Sequence, residues 1–89
     1  MSSTFTIEFL PSAARQLAKI NRRDQRRISR GINQLAAKPR PPGSILLKGK
    51  IGLFRVRVRD FRVIYRIEQE RLVVLVVRIA RQKEAYRNI

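Results

Sequence analysis

The stretch Leu53-Phe54-Arg55-Val56-Arg57-Val58-Arg59-Asp60-Phe61-Arg62-Val63-Ile64-Tyr65-Arg66-Ile67 alternates apolar and basic residues on both sides of a central Arg-Asp pair. A period of two is the pattern of a strand with one face on a core, and a two-residue break between such runs is a hairpin. With Arg59 and Asp60 in the turn, Val58 should face Phe61, Val56 should face Val63 and Phe54 should face Tyr65 on the apolar side. Phe54, Phe61 and Tyr65 are thereby expected in the core rather than on a stacking platform. The opposite side then sets Arg57 against Arg62. Like charges directly opposite across a strand pair are destabilising, and Thr or Glu would serve stability better. A polyanion bound on that side would account for the arginines; the competing reading spreads them into solvent at the sheet surface.

Working outward, Phe5, Ile7 and Phe9 alternate with Thr4, Thr6 and Glu8, as in a first strand. Pro11 and Ser12 open a helix that carries Ala13, Leu17 and Ile20 at helical spacing, and a break near Asn21 precedes a second helix. There Ile28, Ile32 and Leu35 form one apolar stripe, while Arg22, Arg23, Arg26, Arg27 and Arg30 crowd the remaining surface, as a solvated basic face or a phosphate-contacting one. Pro39, Pro41, Pro42 and Gly43 end the helical part and mark a connector to β structure. After a polar turn at residues 68–71, Leu72 to Val77 is apolar at every position, which suits a strand covered on both faces and central in its sheet. The expectation is a single α+β domain over residues 1–89, a small sandwich of order β-α-α-β-β-β. Its N-terminal helical hairpin packs on one face of an antiparallel-rich sheet, and the arginine side remains open.

At 89 residues such a domain buries roughly two thirds of its unfolded surface. Lys and Arg number 21 against 6 Asp and Glu, a net charge of +15, so the domain should seek polyanions, nucleic acid foremost. The arginines recur in the second helix, in the hairpin and near the C-terminus, which argues against a disordered basic arm. Cysteine is absent, which removes disulfides and thiolate metal sites. The first six residues carry no basic head followed by an apolar stretch, and the Leu72–Val77 run is too short to span a bilayer, so a soluble cytoplasmic protein without membrane contact is expected.

With no histidine, the usual acid and base at neutral pH is missing. Of the six carboxylates only Glu68 and Glu70 are neighbours, inside a turn, which speaks against two-metal nuclease chemistry; no metal or small-molecule cofactor is expected. No phosphate-binding glycine loop or serine nucleophile motif occurs. One reaction suits an inventory of Arg, Lys and Tyr. RNA supplies its own nucleophile, the 2′-hydroxyl, so the protein need only orient it and stabilise the charge on the phosphorane. Guanidinium forks do the second task well.

Leu47-Lys48-Gly49, Phe54-Arg55-Val56-Arg57, Asp60-Phe61-Arg62-Val63-Ile64-Tyr65, Arg78-Ile79-Ala80-Arg81 and Ala85-Tyr86-Arg87 resemble the RelE toxins of the RelE/ParE superfamily, across nearly the whole chain. The resemblance implies a ribosome-dependent endoribonuclease that cuts mRNA in the decoding site without metal and is silenced by a cognate acidic, RelB-like antitoxin. Position by position it makes Arg55 and Arg57 the basic pair at the scissile phosphate, with a candidate general base among them, and Arg62 the arginine that stabilises the phosphorane. Arg81 stands near the late basic residue proposed as general acid or charge stabiliser, with Lys83 as its substitute, and Tyr86 matches the tyrosine that stacks on mRNA. Lys48 matches a residue that helps hold RNA, and Arg59, Lys83 and Arg87 extend that binding set. Many members carry Lys at positions 55 and 57, and His-Arg or Lys-Arg where this chain has Arg81-Gln82.

Two other readings keep the charge but change the act. ParE-like relatives poison DNA gyrase without cutting RNA, and a non-catalytic RNA or ribosome binder would need the charge alone. A toxin that has lost its activity is the third.

Overall fold

A computed structural model describes residues 4–47, 49 and 52–82. Its elements run β1 (Thr6–Phe9), α1 (Pro11–Ala18), α2 (Arg22–Gln34), β2 (Ile45–Leu46), β3 (Leu53–Val58), β4 (Phe61–Glu68) and β5 (Val73–Arg81). The strands form one sheet of order β1-β5-β4-β3-β2. β1 lies parallel to β5, and the other three neighbouring pairs are antiparallel. Both helices cover one face, giving the expected small α+β domain, with a two-residue strand β2 added at the hairpin's outer edge.

The helices start where local chemistry sets them. Pro11 occupies the first turn of α1, where its missing N–H costs nothing. Asn21 caps α2: its side-chain oxygen accepts from the Asp24 N–H at 2.9 Å, and its amide donates to the Asp24 carboxylate at 3.0 Å. Gln25 joins the two helices by donating to the Ile20 carbonyl at 2.7 Å. Ile28, Ile32 and Leu35, the stripe expected from periodicity, are fully buried. They pack with Phe61, Val63, Tyr65, Val74, Val76 and Ile79 from the sheet, so the core is the single layer between helices and sheet. Gly31 lets α2 lie close on the end of β3, since a Cβ there would sit 2.8 Å from Val58 Cγ2.

The hairpin has the expected register: Val58 opposes Phe61, Arg57 opposes Arg62, Val56 opposes Val63 and Phe54 opposes Tyr65. Phe61 and Tyr65 are buried, and Phe54 stacks on Tyr65 with ring centroids 5.9 Å apart. The Tyr65 hydroxyl donates to the Pro39 carbonyl at 2.7 Å, and the Arg40 guanidinium lies 5.2 Å over the Phe54 ring. These two contacts fasten the proline-rich connector to the sheet. β5, flanked by β1 and β4, is an interior strand, as its unbroken apolar run required.

Candidate functional site

The site is built on the sheet face that the helices leave uncovered. Paired residues across a sheet share a face, so the registers place Arg57, Arg62 and Ala80 in one row and Ile45, Arg55, Ile64 and Arg78 in the next. Leu53, Arg66, Leu75 and Glu8 form a third row. Five arginines, at 55, 57, 62, 66 and 78, therefore surround Ile64 on one surface.

Burial separates their roles. Arg62 is only 6% exposed, Arg55 and Arg78 are half-buried, and Arg57 and Arg66 are exposed. The small side chain of Ala80 beside Arg62 leaves room for the guanidinium stem. Desolvating a cation is costly, so Arg62 is the arginine of this face whose position the fold fixes most strongly. Arg57 is steered toward the turn, where its Nε donates to the Arg59 carbonyl at 2.9 Å. Arg59 itself adopts φ 56°, a left-handed conformation unusual for a residue with a side chain. The Nε of Arg78 is buried with no hydrogen-bond acceptor among the described residues.

Among the described residues the acids of this face lie at its far end. The two acids nearest that face, Glu8 and Glu68, are taken up by Arg71, at 3.8 Å and 2.7 Å, beyond the third row. Among the described residues no three His, Cys, Asp or Glu side chains gather into a metal-binding group. The surface can therefore attract and hold a phosphate through several guanidinium groups at once, and it stabilises added negative charge more than a single cation could.

Arg55, Arg57 and Arg62 are thus brought together as expected, with Arg59 at the adjoining turn. Arg81 is not. It pairs with Phe61 on the helix-side face, its guanidinium 5.0 Å over that ring, and it lines a cleft of about 290 Å³ with Gln16, Lys19 and Asn21, which Arg78 also borders. The cause is a bulge. Tyr65 pairs with Val76 but Ile64 pairs with Arg78, so Val77 is an extra residue. Regular alternation from Val76 would carry Arg78 to the helices and Arg81 to the open face; the extra residue reverses both. Arg78 is the site residue that alternation alone misses, and an apolar run without breaks carries no sign of where its parity changes. Lys48, Lys83, Tyr86 and Arg87 lie outside the described residues.

A family model described as the ParE toxin of the type II toxin–antitoxin system parDE matches residues 7–86. No curated protein matches the sequence at a significant level. Among solved structures, a chain of the RelBE2 toxin–antitoxin complex of Mycobacterium tuberculosis is 26% identical, with TM-score 0.80 over 91% of this chain and 94% of that one. The RelE–RelB complex of Pyrococcus horikoshii, at 23% identity, has TM-score 0.78 over 89% and 96%. A free variant of the RelE toxin of Escherichia coli, at 16% identity, superposes with TM-score 0.79 over 93% and 88%, a likeness of fold. With a family model covering most of its length and a sheet-on-helix fold shared with these toxins, the chain belongs to the ParE toxin family, in the RelE/ParE superfamily of type II toxin–antitoxin toxins.

Proposed function

We propose that this toxin is a ribosome-dependent, metal-independent mRNA endonuclease that cuts in the decoding site and so stops translation. The observation that carries the reading is Arg62, 6% exposed and set opposite Arg57 on a face that gathers five arginines. A surface used only for attraction has no need to desolvate a cation, whereas a buried guanidinium next to a reacting phosphate stabilises developing charge strongly.

In this reaction the 2′-oxygen bonds to phosphorus and the 5′-oxygen departs, leaving a cyclic phosphate. Arg62 and Arg57 hold the phosphate oxygens, and Arg55 and Arg78 flank them across Ile64. Arginine stays charged at any working pH, so these residues act on charge and geometry rather than on protons. The hydroxyl proton leaves to water and a proton reaches the leaving oxygen, for which the family resemblance offers Lys83, while Tyr86 stacks on the mRNA. Lys48, Arg59 and Arg87 complete the RNA-binding set on the same basis. Arg81, on the far side of the sheet, serves at a distance from the phosphate. The partners are the ribosome, its mRNA and a cognate acidic antitoxin, RelB-like, whose charge would cover the basic face. Among the described residues no helix is long and apolar enough to cross a membrane, and the proposed target lies in the cytoplasm.

The test is a purified translation system to which the toxin is added, with mRNA 5′ ends mapped by primer extension. New ends at codons in the decoding site, absent with naked RNA, insensitive to EDTA at levels that spare ribosomes and lost in Arg62→Ala, support the reading. Intact mRNA overturns it. The family model carries the ParE name, which favours a second reading, gyrase poisoning. Intact mRNA together with inhibited gyrase supercoiling would establish that one.

A further inference from the structure

The outward face of α2 is absorbed by none of this. Arg22, Arg23, Arg26 and Arg30 are exposed on it, Arg27 is half-exposed, and Ser29, Asn33 and Gln34 lie between them. Arg26, Ser29, Arg30, Asn33 and Gln34 line a shallow groove along the helix surface. This face points away from Ile28, Ile32 and Leu35, and therefore away from the sheet and its arginine surface.

Arg22, Arg26 and Arg30 are spaced by four residues, and Arg23 and Arg27 repeat the spacing, so like charges stack on successive turns. Such pairs destabilise a helix, and acids at alternate positions would remove the cost. The single acid of α2, Asp24, sits at its capping turn, engaged with Asn21 and 3.8 Å from Arg27, and leaves the Arg22-Arg26-Arg30 ridge unopposed. Successive ridge arginines rise by about 6 Å, giving a straight line of cations roughly 12 Å long. α2 contains no aromatic residue, so it offers nothing on which an unpaired base could stack. A line of guanidinium groups interleaved with neutral hydrogen-bonding side chains fits instead the phosphate backbone of a duplex, read without regard to sequence.

We infer that the outer face of α2 is a second nucleic-acid site, which grips the phosphate backbone of a double helix, RNA on the nuclease reading above, while the opposite sheet face holds a single strand. The domain is then two-sided, and its grip on structured RNA does not depend on whether the strand is cut. A ridge of this kind would hold the toxin against a folded RNA scaffold and leave the sheet face free for the strand.

Binding of a fluorescent RNA hairpin with a stem of about 16 base pairs, the length a duplex-binding domain spans, is measured by anisotropy across a salt series on the full chain. The variant Arg22→Gln/Arg26→Gln/Arg30→Gln keeps good helix formers throughout. It is compared with the charge-matched control Arg15→Gln/Lys19→Gln/Lys38→Gln. Loss of three phosphate contacts should lower the slope of log affinity against log salt by about 2.7, which is roughly 40-fold less salt-induced loss between about 50 and 200 mM. The control should change the slope by less than 1. Equal slopes for ridge variant and control overturn the proposal, because they would mean that net charge alone is being read. A DNA duplex of the same length that binds more tightly than the hairpin, with the same dependence on the ridge, overturns the assignment to RNA. Cleavage plays no part in the readout, so an inactive toxin would still give a decisive result.

Discussion

Gly31→Ala tests the packing of α2 against the hairpin that carries the site. In an ordinary helix interior Ala is favoured over Gly by about 0.8–1 kcal/mol. Here the new Cβ would sit 2.8 Å from Val58 Cγ2, with Val58 Cγ1 and Cβ next at 3.7 and 3.8 Å. The first contact is about 1 Å too close for carbon atoms at their optimal separation, and Val58 is β-branched with little rotamer freedom to move aside. Overpacking of this kind costs about 1–3 kcal/mol. The balance predicts a loss of about 1 kcal/mol for the single variant. Removing the valine branches reverses the sign, because in a Val58→Ala background only the Cβ at 3.8 Å remains, an ordinary contact. There Gly31→Ala should stabilise by about 0.8 kcal/mol.

The assay is urea unfolding followed by far-UV circular dichroism on the four proteins of the cycle. A coupling of about 2 kcal/mol between positions 31 and 58 is expected, well above the roughly 0.5 kcal/mol within which independent sites add. Because Val58 stands between Arg57 and Arg59, the single Gly31→Ala variant should also weaken RNA binding, and Val58→Ala should restore part of it. Additive effects, or a stabilised Gly31→Ala single variant, would refute the close approach as the reason for glycine.

Arg62→Met keeps the length of the stem but removes the guanidinium set opposite Arg57; RNA cutting in the translation assay should be lost while far-UV circular dichroism still shows the folded domain. Arg59→Gly relieves the left-handed conformation at φ 56°, so its thermal midpoint should rise by a few degrees, an effect of about 1 kcal/mol, and RNA affinity should fall if the strained residue is kept for binding. Tyr65→Phe leaves the Pro39 carbonyl without its 2.7 Å donor and should cost about 1 kcal/mol at neutral pH. Burial raises the Tyr65 hydroxyl above the usual 10.0, with Ser44 and Arg40 pulling the other way. A raised value stabilises the fold fully below pH 10 and is lost as pH rises through it, so thermal midpoints against pH should fall less steeply above pH 10 in Tyr65→Phe than in the parent.

The hairpin was legible because two signals agree: strict alternation fixes faces, and the Arg59-Asp60 break fixes register, so the Arg57–Arg62 opposition followed from the sequence alone. The α2 stripe was legible because Ile28, Ile32 and the C-capping Leu35 all fall on one side of the helix. Strand β2 was not, since two residues have no period to read. The side occupied by Arg81 was not either. Leu72 to Val77 is apolar on both faces, so a bulge inside that run costs no burial and leaves no mark in the composition, yet it reverses every side chain that follows.

Departures from what stability favours are concentrated on one surface. Arg59 is strained, Arg62 is desolvated, Arg57 stands opposite it, and Arg78 holds a buried Nε without an acceptor among the described residues. At the far end of the same sheet the opposite holds, where Arg71 reaches both Glu8 and Glu68 and opposite charges meet. Local rules that fail together at one place and hold elsewhere mark that place as the one retained for function. The Val77 bulge belongs to the same set, because it is what turns Arg78 toward the arginines and turns Arg81 away.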